Sequence, residues 1–283
     1  MILVFGKEGQ LANELDIFPN TLCVGRSSCD LISDDCYIDL IMNKQITAVI
    51  NASGYTDTVA AEQNIDDAMK LNHEIPVNIF HECLKKNIPF IHISTDYVFD
   101  GFKQSPYNER DKPNPIGAYG ISKFKGEQSI CELGGNFVII RSSWLFSSYG
   151  KNFVKTMIEK GKNLSEVSVV CDQIGGPTSV RSLAHTCIKV LQKMYENNNL
   201  SGIYHFTGKP YISWADFAKE IFTYLDWDIK VKKIKSTEVS NNWFRPLNTM
   251  LDCSKIFNTF EIDQPEWKTD MIEVIKKLQP KYL

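Results

Sequence analysis

Short apolar runs alternate with longer amphipathic stretches through the first half of the chain. Residues 2–5, 21–24, 48–52, 90–95 and 136–142 are apolar over a strand's length, and the intervals between them carry helical spacing. Residues 60–87 read as mainly helix, with Pro76 initiating or kinking a segment, and 118–131 as another helix. Strands alternating with helices predict a parallel sheet covered on both faces, with ligands bound at its carboxyl edge. The polar clusters fall there: Gly6-Lys7-Glu8-Gly9 after the first run, Ala52-Ser53-Gly54-Tyr55-Thr56 after the third, and Ser94-Thr95-Asp96-Tyr97 closing the fourth.

After Trp144 the pattern loosens. Strands are expected at 166–171, 202–207 and 230–235, the last an edge strand with its lysines toward solvent. Helices are expected at 179–197, at 213–225 with Ser213 as N-cap, and at 267–279, stopped before Pro280. No linker rich in Gly and Ser, low-complexity tract or internal repeat interrupts the chain.

The first apolar run leads directly into Gly6-Lys7-Glu8-Gly9-Gln10-Leu11-Ala12. The first glycine of such a loop permits a tight turn, the second lets backbone amides approach a pyrophosphate, and a small third residue lets helix and sheet pack closely. A glycine loop between an N-terminal strand and a helix is a dinucleotide signature. The second run ends in Gly25-Arg26-Ser27-Ser28, with no carboxylate until Asp30. An arginine here suits the ribose phosphate of NADP(H), which is favoured, with NAD(H) the alternative. The bland reading of Arg26 is a solvated surface arginine. The expected fold is α/β: a Rossmann-type doubly wound parallel sheet over residues 1–148, with about 170–200 returning to it, and a smaller C-terminal α/β substrate-binding domain over 149–283.

Tyr119 and Lys123 stand four apart in a helical stretch, so their polar ends share a face. An ammonium beside a phenol favours the phenolate and makes it a usable proton donor or acceptor. Thr95, at a strand end, can hydrogen-bond the same substrate oxygen. Exposed helices carry Tyr-x-x-x-Lys by chance; the Thr95 cluster and the glycine loop are what turn the pair toward carbonyl reduction or alcohol oxidation.

Composition narrows the class. Of 283 residues, 43% are hydrophobic and 23% charged, which suits a globular chain with a full core. The formal net charge of −3 gives no attraction to nucleic acid or an anionic membrane. No apolar run approaches the ~18 residues of a membrane span. The eight cysteines include no Cys-x-x-Cys pair; Cys23, Cys83 and Cys187 sit in apolar patterns as core thiols, and the chain reads as cytoplasmic and reduced. The five histidines show no metal spacing, and His92 and His205 read as packed strand residues.

With these residues in place, the chain resembles the extended short-chain dehydrogenase/reductase superfamily, and within it the dTDP-4-dehydrorhamnose reductase family. Gly6 to Ala12, Ser94-Thr95-Asp96-Tyr97-Val98-Phe99-Asp100-Gly101, Tyr119-Gly120-Ile121-Ser122-Lys123, Arg141-Ser142-Ser143-Trp144, Asn152-Phe153, Asp172 to Thr178 and Arg245-Pro246 carry the resemblance, which spans essentially the whole chain. It implies NAD(P)H-dependent reduction of the C4 ketone of a nucleotide-diphosphate 4-keto-6-deoxysugar in nucleotide-sugar biosynthesis for surface polysaccharide. Thr95, Tyr119 and Lys123 would be the catalytic group. Gly6, Gly9, Gln10, Leu11, Asp39, Leu40, Ala52, Ser53 and Gly54 match cofactor positions, joined by Tyr119 and Lys123, and Arg26 is added from its chemistry. Thr56, Asp96, Tyr97 and Trp144 would face the sugar, with Asn152 and Arg245 toward the nucleotide. A homodimer with Mg²⁺ at its contact is known among relatives, but no metal constellation is legible in this sequence.

Two departures stand out: Val59 replaces a usual acidic residue, and Gly54 a common alanine. The alternatives are a sister reductase for a talose or 2-acetamido sugar, and a non-catalytic NADP-binding regulatory subunit such as that of methionine adenosyltransferase. A dehydratase would be expected to show Asp-Glu after Thr95, where this chain has Asp96-Tyr97.

Overall fold

The computed structural model describes residues 1–239 and 245–282. The apolar runs form β1 (Ile2–Phe5), β2 (Thr21–Val24), β3 (Ala48–Asn51), β4 (Phe90–Thr95) and β5 (Phe137–Ser142). β6 (Glu166–Val170) lies apart, and β7 (Gly202–His205) returns to complete a six-stranded sheet. The order is β7-β5-β4-β3-β1-β2 and every pairing is parallel. The chain order reverses between β1 and β3, and a crevice for a ligand opens at such a reversal, outside the carboxyl ends of the strands.

Alternate residues of each strand point to opposite faces, so both faces need cover. Val4, Ile50, Ile91 and Val138 pack against α1 (Gln10–Leu15), α8 (Val180–Glu196) and α10 (Ser254–Phe260). Leu3, Phe5, Val49, Phe90 and Ile139 pack against α2 (Tyr37–Met42) and α5 (Ile75–Lys86). The expected long helix before β4 is divided into α3 (Thr58–Gln63), α4 (Ile65–Met69), a π-helical turn (Lys70–Glu74) and α5, with Pro76 directly after the π-helical turn, in the first turn of α5.

A second cluster gathers α7 (Phe153–Asn163), β6, α9 (Trp214–Tyr224), β8 (Lys230–Ile234) and α11 (Trp267–Tyr282) around Met157, Val167, Phe217, Phe222 and Met271. Ser213 caps α9 as expected, its hydroxyl accepting from Asp216 N at 3.1 Å. β8 pairs in parallel with β6, and its lysines point outward into ion pairs, Lys230 with Glu166 at 2.7 Å and Lys233 with Asp216 at 2.6 Å. The closing helix does not stop before Pro280 but runs to Tyr282. A proline in a last turn forfeits one ladder bond, while Trp267, Met271, Ile275 and Leu278 bury the helix against the cluster. The reduced reading of the cysteines also fails in one place. Cys29 and Cys36 form a disulfide, Cα atoms 5.6 Å apart, because the loop after β2 folds back on itself; Cys23, Cys83 and Cys187 are buried thiols as expected.

α6 (Ala118–Leu133) has no apolar stripe. Its buried residues are Ala118, Gly120, Ser122, Lys123, Gly126, Glu127 and Ile130. Two of these allow backbone contact: a Cβ on Gly120 would lie 2.2 Å from Tyr97 O, and one on Gly126 2.3 Å from Asn72 O. Glu127 and Arg141, each 1% exposed, pair at 2.6 Å, and Arg141 Nε adds a bond to Glu127 Oε1 at 2.9 Å. Ser94 Oγ donates to Glu127 Oε1 at 2.5 Å, and Arg141 Nη1 lies 3.3 Å from His205 Nε2, so one network joins α6 to β4, β5 and β7. Glu127→Ala leaves the guanidinium buried and uncompensated and is expected to lower stability by about 3–5 kcal/mol in urea denaturation. A loss below about 1 kcal/mol would show that the pair does not anchor the helix.

Candidate active site

A cavity of about 290 Å³ opens at the carboxyl ends of β1, β2 and β3, and Gly6, Gly9, Arg26, Ala52, Ser53, Gly54 and Thr56 line it. Gly6 has φ +104°, and a Cβ there would sit 2.8 Å from Ala52 O, so the turn accepts only glycine. Gly9 precedes α1 with no side-chain cap, leaving the first helical amides available. Asn51 Oδ1 accepts from Ser53 N at 3.1 Å and Ser53 Oγ at 2.6 Å, which fixes the lip of β3. This bare glycine wall, with free amides and polar strand ends, fits the pyrophosphate and adenosine part of a dinucleotide.

Other cofactor candidates lie elsewhere. Leu11 is 5% exposed and packs into the core. Gln10 turns toward the second half of the chain, its Oε1 accepting from Ser147 Oγ at 2.7 Å and Asn152 Nδ2 at 3.1 Å. Asp39 and Leu40 are not on the wall. They lie within α2, and Cys29, Asp30, Leu31 and Ile32 line the cavity in their place. The folded-back loop after β2 carries one Asp-Leu pair to the cavity and leaves the other on the helix; that repeated dipeptide was the available signal.

Thr95 ends β4, its Oγ1 donating to Asp96 Oδ1 at 3.0 Å and accepting from Tyr97 N at 3.2 Å. Tyr119 lies in the first turn of α6, whose Ala118 N donates to Glu62 Oε1 at 2.7 Å. Lys123 is 4% exposed, and its Nζ donates to Ile93 O at 2.6 Å. Nζ also lies 3.3 Å from His92 Nε2, and His92 Nδ1 lies 3.2 Å from Asn51 Nδ2. Burial holds the Lys123 amine down at about 8 while Glu127 pulls it up, and burial keeps His92 well below the ordinary imidazole range. The expected lowering of the phenol is not found. Burial pushes Tyr119 up, with only a hydrogen bond to Thr95 opposing, because the amine points to the β4 backbone.

Asp96 is 2% exposed, and burial raises its carboxyl to about 7 against its hydrogen bond with Thr95. Its Oδ2 has no hydrogen-bond partner among the described residues. Tyr97 meets Tyr119 edge-on at 5.6 Å, and its phenol is pushed up to about 12 by burial, with Arg245 close enough to pull it down. Trp144 has φ +49° and stacks on Trp214 at 3.5 Å. An unusual backbone for so large a residue marks a position held by its surroundings. Thr56 sits at the cavity rim. Asn152 does not offer a free amide: it caps α7 through Lys155 N at 3.2 Å and donates to Ser147 O at 2.8 Å as well as to Gln10.

Two residues without a sequence-derived role matter to this geometry. His92 lies beneath Lys123, and Asn72, in the π-helical turn, donates to Tyr55 O and to Ser122 Oγ, both at 3.0 Å, tying the β3 loop to α6.

The family model of the RmlD substrate binding domain matches residues 1–280. The chain belongs to this family. It is 35% identical over 280 residues to a dTDP-4-dehydrorhamnose reductase of Aggregatibacter actinomycetemcomitans, covering 94% of this chain and 95% of the relative. Among solved structures it resembles a dTDP-4-dehydrorhamnose reductase from Clostridium acetobutylicum with a TM-score of 0.90 and 34% identity, over 98% of this chain and 99% of that one. The Bacillus anthracis enzyme of the same name, solved in complex with NADP, matches with a TM-score of 0.90 and 31% identity over 98% of both chains.

Both departures from the usual family sequence have a place in the structure. A Cβ on Gly54 would approach Asn72 Oδ1 to 2.9 Å, so the position is matched to that amide. Val59 lies in the first turn of α3, which Asp57 caps by accepting from Val59 N and Ala60 N at 3.0 Å.

Asp96→Asn tests the buried carboxyl. Its folded pKa is raised, so the native state binds the extra proton and stability falls as pH rises between the ordinary carboxylate value and about 7. The amide escapes that loss, and the variant is expected to gain on the order of 4 kcal/mol over the parent at pH 8, with the advantage fading toward pH 4, in parallel denaturation series. A pH-independent difference would contradict the raised carboxyl.

Proposed function

We propose that this protein reduces the C4 ketone of a nucleotide-linked 4-keto-6-deoxyhexose with NAD(P)H, taking dTDP-4-dehydro-L-rhamnose to dTDP-L-rhamnose. The observation that carries this reading is the gathering of Thr95, Tyr119 and Lys123 at the same sheet edge as the glycine-walled cavity. Gly54 links the two: the point its Cβ would occupy is 3.8 Å from Lys123 Nζ. The names of its relatives and the NADP-bound neighbour support the same reading.

The reduced nicotinamide, when bound, supplies the hydride. Tyr119 then gives its proton to the oxygen on which negative charge develops. A buried phenol kept fully protonated is suited to that donation, and Thr95 offers a second hydrogen bond to the same oxygen. Lys123, pinned between β4 and α6, holds the nicotinamide ribose. Asp96, Tyr97, Trp144 and Arg245 orient the sugar nucleotide, and the lobe built on α7, β6, α9, β8 and α11 serves as its cap. To give its bond, Thr95 turns its single hydroxyl proton from Asp96 Oδ1 to the substrate oxygen.

The experiment is NADPH and NADH oxidation against dTDP-4-keto-6-deoxyhexose, with and without 3,5-epimerisation, beside UDP-, GDP- and 2-acetamido analogues. Turnover is expected with the epimerised dTDP sugar, and preference for another sugar would reassign the substrate. Tyr119→Phe is expected to bind cofactor as the parent does while losing about 10²–10⁴-fold in kcat. Parental kcat in that variant would remove Tyr119 as the acid.

A further inference from the structure

An acidic side chain meets the backbone of Arg26 at the end of β2. The Glu8 carboxylate reaches there from the glycine loop, and its Oε1 accepts from Arg26 N at 3.0 Å. The seat exists because Gly25 lacks a side chain, since a Cβ on it would lie 2.1 Å from that same oxygen. Glu8, Gly25 and Arg26 form one wall of the cavity. In a doubly wound fold the adenosine ribose lies against this strand end, where a carboxylate binds the ribose hydroxyls of NADH and an arginine accommodates the 2′-phosphate of NADPH. The acidic partner missing from the end of β2 is thus supplied by the preceding loop.

We propose that Glu8 is the residue that sets cofactor choice, its carboxylate accepting from the ribose hydroxyls of NADH and repelling the 2′-phosphate of NADPH, so that it offsets Arg26 and keeps both dinucleotides in use. This rests on the reductase reading, because it assumes that the cavity holds a nicotinamide dinucleotide. A 2′-phosphate brings negative charge against the carboxylate and competes with it for the Arg26 amide. NADH presents hydroxyl donors to the same oxygens and leaves the Glu8–Arg26 bond in place.

The test is the dissociation constant of each reduced cofactor, measured by fluorescence titration without sugar substrate, for the parent chain, Glu8→Gln, Glu8→Thr and Arg26→Leu. Both Glu8 variants should bind NADPH about tenfold more tightly, with NADH unchanged or weaker, and the NADPH gain should shrink in high salt. Arg26→Leu should move the ratio toward NADH. A ratio of the two constants within about twofold of the parent in both Glu8 variants would overturn the proposal and leave the reductase reading standing. A parent chain that binds neither cofactor would overturn the dinucleotide reading and this proposal with it.

Discussion

The ion pair between Glu127 and Arg141 lies beneath the site, and the site's geometry depends on it. Tyr119 and Lys123 both belong to α6, and α6 turns toward the sheet a face of glycine, serine, lysine and glutamate. Such a face supplies little of the apolar burial that fixes most helices, so position must come from elsewhere. It comes from backbone contact at Gly120 and Gly126 and from a polar network joining Ser94, Glu127, Arg141 and His205. Buried ion pairs are a weak source of net stability because two charges must be stripped of water, yet they are strongly directional. Here that directionality holds a helix in register with the end of β4, where a displacement of about 1 Å would separate the phenol from Thr95.

The same shortage of water sets the electrostatics of the site. Lys123 is lowered to about 8, Asp96 is raised to about 7 and His92 stays neutral, each chiefly because burial penalises the charged form. Asp96 keeps one oxygen without a partner among the described residues, and Trp144 holds a left-handed backbone. Buried, shifted and incompletely paired groups gathered at one edge of a sheet are where a fold gives up stability for chemistry.

Much of this was legible in the sequence. The strands of the first half are short and buried on both faces, so their apolar runs stand out to within a residue, and the glycine loop and Tyr119–Lys123 spacing follow from backbone geometry. The residues that escaped are those placed by tertiary closure. Asp39-Leu40 and Asp30-Leu31 are the same dipeptide, and only the folding of the loop after β2, joined through Cys29 and Cys36, decides which reaches the cavity. Lys123 lies on the expected face of α6, and its amine is engaged by the carbonyl of Ile93. Asn152 carries the expected amide, engaged by Gln10, Ser147 and the first turn of α7. Local pattern identifies the groups; competing hydrogen-bond partners decide where each one points.

The central claim is that this sheet edge transfers a hydride to C4 of a nucleotide-linked sugar. Reduction with cofactor carrying deuterium at the nicotinamide C4, followed by mass and NMR analysis of the product, tests it most directly. With deuterium at both nicotinamide C4 positions, one deuterium is expected on C4 of the hexose for each cofactor oxidised. Cofactor oxidation without label on the sugar, or label at another carbon, would contradict it.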